Sequence, residues 1–179
     1  ENLDRAGGYT HQKGILAARE AVARHARERG VDGVNAGDVF LGNGVSELIL
    51  FCLEALLEPG DEVLVPSPDY PLWTAAVTVT GARAVHYPCR DDAGFVPDPD
   101  EVDGLIGPRT RALVLIDPNN PTGAVYPRAT VEALARVAER RGLVLFCDEI
   151  YDRILYDGAE HTSAATLGPD TLVATFGGL

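Results

Sequence analysis

Two short apolar runs constrain this chain more than any other feature. They are Arg111-Ala-Leu-Val-Leu-Ile116 and Leu143-Val-Leu-Phe-Cys147. Side chains alternate faces along a strand, so a strand apolar at consecutive positions must be covered on both sides. Between the two runs, Arg128–Arg141 brings Leu134, Val137 and Ala138 into helical register, and Gly142 supplies the stop. A buried strand, a crossover helix and a second buried strand predict parallel pairing with helices on the sheet.

The rest of the chain continues the alternation. Residues 14–29 place Ile15, Ala18, Val22 and Ala26 on one helical face, with Gly30 behind them. Asp38–Leu41 reads as a short strand, then Gly42-Asn-Gly-Val-Ser46 leads into an apolar helix from Glu47 to Leu57. Pro59-Gly60-Asp61 is a turn and Glu62–Pro66 the next strand. Ser67-Pro-Asp-Tyr-Pro71 breaks the chain before a segment from Leu72 to about Thr80, and Arg83–Tyr87 is a further strand. The acidic, Pro/Gly-rich stretch Arg90–Pro108 reads as a surface excursion with one short helix near Asp98–Ile106, and Thr171–Phe176 as the last strand. The expectation is one α/β domain over residues 1–179, a mostly parallel sheet with helices on both faces.

Charge and residue usage exclude several function classes. Fifteen basic against 27 acidic residues give a net charge of -12, which repels nucleic acid and anionic membranes. The longest apolar run, Leu48–Leu53, is far shorter than the ~20 residues a membrane helix needs. Cys52, Cys89 and Cys147 form no disulfide framework and no C-x-x-C pair, so a cytoplasmic home is expected. His11, His25, His86 and His161 share no ligand spacing, so all four read as surface or structural and no metal is expected.

The polar clusters fall after predicted strands, where ligands of such sheets bind. Gly42–Ser46 opens a helix, and its small residues and free N–H groups suit an anion, although taken alone it is an ordinary turn with a serine cap. It is neither G-x-G-x-x-G nor a P-loop. Asp148 follows a buried strand and suits a charge-assisted bond to a positive ring nitrogen, although taken alone it reads first as a helix cap or an arginine partner. Tyr151, Asn119, Asn120 and Tyr70 each have an ordinary packing or turn explanation. No G-x-S-x-G elbow is present.

In combination these segments resemble a family. Asn120-Pro-Thr-Gly123 after one buried strand and Asp148-Glu-Ile-Tyr151 after the next are similar to the class I/II, fold-type I aminotransferases, which use pyridoxal 5′-phosphate. The resemblance runs from Gly8 to Leu179. Gly42-Asn-Gly-Val-Ser-Glu-Leu-Ile49 and Pro68-Asp-Tyr-Pro-Leu-Trp-Thr-Ala75 look most like the bacterial alanine (glutamate–pyruvate) branch.

The resemblance implies roles for matching positions. Asp148 would hold the protonated pyridine nitrogen, Asn120 and Tyr151 the ring 3′-oxygen, and Tyr70 the ring face. Gly44, Val45 and Ser46 would meet the phosphate, and Tyr9 would reach the phosphate of a neighbouring subunit in a homodimer with shared sites. The substrates implied are an amino acid and a 2-oxo acid, with no nucleic acid or membrane partner. Rival readings in the same fold are a carbon–sulfur lyase or aminocyclopropane-carboxylate synthase, and a regulator's sensor domain.

The chain departs from the family pattern in places. Asp117 stands where the family usually shows asparagine, and Gly178 where it often shows a hydroxyl. The sequence has no methionine, so it reads as a piece, and its one lysine, Lys13, is the only one that lysine chemistry within it could use. The Schiff-base lysine is expected just beyond Leu179, the small carboxy-terminal domain is expected to be missing, and the 179 residues alone are expected to be inactive.

Overall fold

The computed structural model describes residues 8–178, so Leu179, where the resemblance ends, lies outside the described residues. The chain divides into two compact units that part between Asn43 and Gly44.

The first unit carries helix α1 (Leu16–Glu28). Its most buried residues are Arg19 and Ala23, not the expected apolar set, and Ile15 is exposed. Arg19 earns its burial through hydrogen bonds: its guanidinium donates to Gly14 O at 3.1 Å and Ala36 O at 2.6 Å. The strand expected at Asp38–Leu41 does not form. Asp38 closes a turn instead, its carboxylate accepting from Asn35 N–H at 2.9 Å. Leu41 N–H donates to Lys13 O at 3.0 Å, with no ladder continuing from it. A run of four residues without a pairing neighbour has nothing to hold it extended.

The second unit is the α/β body. In chain order it comprises α2 (Val45–Leu56), β1 (Glu62–Ser67), α3 (Pro71–Val79), β2 (Arg83–Pro88), α4 (Pro99–Gly104), β3 (Thr110–Ile116), α5 (Arg128–Arg141), β4 (Val144–Asp148) and β5 (Val173–Phe176). The five strands make one sheet in the order β2-β1-β3-β4-β5, and every pairing is parallel. The expected parallel architecture is therefore what forms.

Period-two alternation divides the core in two. Leu113, Leu115, Leu145 and Cys147 pack with Val131, Leu134 and Ala138 of α5 and Val102 of α4. Ala112, Val114, Ile116 and Phe146 pack with Ile49 and Leu53 of α2 and Trp73 and Val77 of α3. Both faces of β3 and β4 are thus covered, which is why their sequences carry no polar alternation. The stretch 90–108 is less of a surface excursion than expected: Val102 is buried, and Phe95 and Val96 pack against the same core. The acids around them stay outside, Asp98 capping α4 by accepting from Asp100 N–H at 2.9 Å.

Strand order reverses direction once. From β1 the chain passes to β2 on one side, then returns to β3 on the other side and continues outward. The carboxyl ends of β1 and β3 therefore flank a topological switch point, the crevice where open α/β sheets bind ligands. No helix among the described residues is long and apolar enough to cross a membrane.

Candidate active site

Four chain segments reach the carboxyl edge. β1 leads into Ser67–Tyr70, β3 into Asp117–Gly123, and β4 ends on Asp148 and leads into Tyr151. Helix α2 packs on the sheet and hands over to β1 through the turn after Leu56, so it runs back against the strand direction. Its amino end, Gly44-Val45-Ser46, accordingly lies toward that edge.

Asp148 is the best-defined member. It is 3% exposed and pairs in register with Ile116. Its Oδ2 accepts from the indole N–H of Trp73 at 2.9 Å, and its Oδ1 accepts a longer bond from Ile150 N–H at 3.4 Å. Burial raises its pKa, and the bonds from Trp73 and Ile150 oppose that shift. An indole nitrogen is donor-only, so Trp73 engages the carboxylate as an acceptor. Trp73 itself is fully buried, stacked edge-on against Phe176 and tilted against Phe146.

Sequence reading passed over Trp73. The available signal was its position three residues after Tyr70, one turn along a helix that Pro71 begins. Tyr70 is that helix's N-cap and is 37% exposed, leaving a ring face open at the edge. Tyr151, also 37% exposed, lies in a turn and not in a helix, with Ile154 N–H donating to Tyr151 O at 2.8 Å.

Asn120 sits half-buried in the loop after β3. Its neighbours fasten that loop. Asn119 N–H donates to Ala124 O at 2.8 Å, and Asn119 Oδ1 accepts from the Thr122 hydroxyl at 2.7 Å. Asp117 Oδ1 accepts from Tyr126 N–H at 2.9 Å, closing the loop's far end. Asp117 does not join the Asp148 side: it follows Ile116, so its side chain turns to the α5 face. Burial pushes its pKa up to about 7, against the Tyr126 N–H bond. His161, whose side chain is 2% exposed, stands behind it, so it is structural rather than surface.

At the start of α2, Gly44 has φ +89° and ψ 161°, a backbone conformation that side-chain-bearing residues rarely adopt. No side chain caps the helix, and a Cβ built on Gly44 would meet nothing within 4 Å. The first-turn N–H groups of Val45 and Ser46 are therefore not taken up by a side-chain cap. An uncapped helix start and a buried carboxylate acceptor on one edge fit the two ends of a phosphorylated, protonated pyridine.

Tyr9 belongs to the first unit and is fully exposed. Lys13, in the same unit, donates from Nζ to Gly37 O at 2.5 Å and lies 4.4 Å from the centre of the Phe40 ring.

The chain as a whole is similar to known proteins. The family described as Aminotransferase class I and II matches residues 3–179. The chain is 51% identical over 178 residues to the glutamate-pyruvate aminotransferase AlaA of Escherichia coli K12, covering 99% of this chain and 44% of that protein. It is 50% identical to an alanine aminotransferase of Mycobacterium bovis, covering 99% of this chain and 42% of that one. A crystal structure of an Escherichia coli aminotransferase superposes with a TM-score of 0.96 at 51% identity, covering 99% of this chain and 44% of the other. The chain thus spans less than half the length of these relatives.

Proposed function

The chain belongs to the class I and II aminotransferases, and from that premise we propose that the complete protein transfers an amino group between an amino acid and a 2-oxo acid. Alanine and glutamate are the favoured donors, because relatives half identical to this chain carry those substrates in their names. Residues 1–179 form part of the large, cofactor-binding domain. The reading rests on one observation above the rest: Asp148 is a buried acceptor at the carboxyl edge of the sheet, held by Trp73.

Pyridoxal 5′-phosphate, when bound, supplies the electron-withdrawing ring on which the chemistry of the substrate carbon depends. Asp148 holds the proton on the ring nitrogen. Buried beside Trp73, it makes that contact in a low-dielectric setting where a charge-assisted bond is strong. Gly44, Val45 and Ser46 receive the phosphate on backbone N–H groups, aided by the helix dipole. Tyr70 covers the ring face. Asn120 and Tyr151 would hydrogen-bond the ring oxygen. Tyr9 reaches the phosphate of the second subunit of a homodimer, and the enzyme works in the cytoplasm.

The test uses the complete protein. Purified with pyridoxal phosphate and given glutamate and pyruvate, it should form alanine and 2-oxoglutarate in equal amounts. Failure to form either product, or activity undiminished in Asp148→Asn, overturns the reading.

A further inference from the structure

On the α5 face, behind the carboxyl edge, lies a small cavity, lined by polar and apolar residues alike, that the aminotransferase reading does not use. Asp117 enters it because the strand alternation that sends Ile116 toward α2 and α3 sends the next residue the other way. Its Oδ1 is engaged with Tyr126 N–H. Its Oδ2 is fully buried and has no hydrogen-bond partner, although a buried oxygen left so is costly. His161 Nε2 stands 3.8 Å from it. That is too long for a direct hydrogen bond and short enough for both atoms to share one bridging molecule.

Both residues line a room of about 10 Å³, whose wall is half polar (with Glu149 and Thr162) and half apolar (Leu115, Val131, Cys147 and Ala164). A buried water needs about that volume and two to four polar partners. The volume meets the first requirement, and Asp117 Oδ2 and His161 Nε2 supply the two polar partners of the second.

We propose that this cavity binds one ordered water that bridges Asp117 Oδ2 and His161 Nε2, making the two side chains a positioning pair for the Asn120 loop. Asp117 holds that loop at three points. Its amide donates to Asp148 O at 3.0 Å, its Oδ1 closes the loop at Tyr126, and its Oδ2 reaches back through the water to the segment around His161. The water gives the carboxylate its second contact and fixes its rotation, which the Tyr126 bond alone leaves free. His161 thereby anchors, from the opposite face of the sheet, the loop that presents Asn120 at the edge. The water site stands independently of the amino-transfer reading.

The decisive experiment is a high-resolution crystal structure of the complete protein, with hydrogen exchange measured on the same sample. We expect one density peak at about 2.7–3.2 Å from both Asp117 Oδ2 and His161 Nε2. In His161→Leu, which leaves the Asp117–Tyr126 bond intact, the peak should vanish. Amides of residues 119–126 should then exchange about five- to tenfold faster, the factor that one lost net hydrogen bond allows. Direct Asp117–His161 contact with no water, or an empty cavity, overturns the proposal in the native protein even if the variant fails to fold. Unchanged loop exchange in a folded His161→Leu overturns the positioning role. Both readouts are independent of catalysis, so they separate this proposal from the proposed function.

Discussion

Trp73 and Asp148 are 75 residues apart in the chain and 2.9 Å apart in the fold, the indole N–H donating to the carboxylate Oδ2 in a buried setting. The bond joins the first turn of α3 to the last residue of β4. It satisfies an oxygen that burial would otherwise leave stranded, and it does so with a group that has no acceptor capacity of its own.

Removing that donor should be costly. In Trp73→Phe the ring packing against Phe146 and Phe176 is largely kept, while Asp148 Oδ2 loses its partner. The expected loss is about 1–3 kcal/mol of unfolding free energy, read by denaturant titration. Stability equal to the parent would show that the bond contributes nothing net.

Trp73 donates to Asp148, so the part of the emission that Trp73→Phe removes reports on that carboxylate. Adding pyridoxal phosphate to the complete protein should shift or quench that part of the emission. In Asp148→Asn the fold should persist by circular dichroism while turnover falls by about 2–4 kcal/mol of barrier, roughly thirty- to several-hundred-fold. Parent-like turnover would remove Asp148 from the site.

Gly44→Ala separates fold from cofactor. No atom obstructs the new Cβ, so the penalty is backbone strain at φ +89°, on the order of 1–3 kcal/mol. Because the methyl enters the approach to the uncapped N–H groups, pyridoxal phosphate affinity should drop by about tenfold or more in an equilibrium titration. A variant that binds as tightly as the parent would move the phosphate elsewhere.

Asp117 should make stability fall as pH rises. Its carboxyl is pushed up to about 7 by burial, from 3.8 as the reference for the unfolded chain. Folding therefore favours its protonated form: the contribution is fully present below pH ~4 and is lost as pH rises through about 7. Tyr126, Cys147, Glu149 and His161 are the titratable groups that face it. Asp117→Asn removes the titration. Relative to the parent it should gain stability at pH 8, by at most about 4 kcal/mol, and show a flatter profile between pH 4 and 7 in melting experiments. A parallel profile for parent and variant would show that Asp117 does not titrate there.

Much of the fold was legible along the chain because its signals are local. Leu113–Leu115 and Leu145–Cys147 announce two-sided burial by having no polar alternation, α5 announces itself by Leu134, Val137 and Ala138, and Gly142 ends it in a left-handed conformation. Asp148 and the start of α2 were legible for the same reason, since each abuts an element whose end is marked in sequence. Asp38–Leu41 misled because its composition suits a strand and its surroundings supply no partner.

What composition and spacing determined, then, is the succession of elements, their parallel pairing and the set of loops at the sheet's carboxyl edge. Tertiary structure alone decided how that edge is wired. Asp117 and Asp148 close neighbouring, register-paired strands, and both are buried carboxylates. One residue of offset against the pleat sends Asp148 to Trp73 on the α3 face and Asp117 to Tyr126 and His161 on the α5 face. Sequence gives the period of alternation, but the face that each phase meets depends on helices tens of residues away, and only packing brings those helices to the strand.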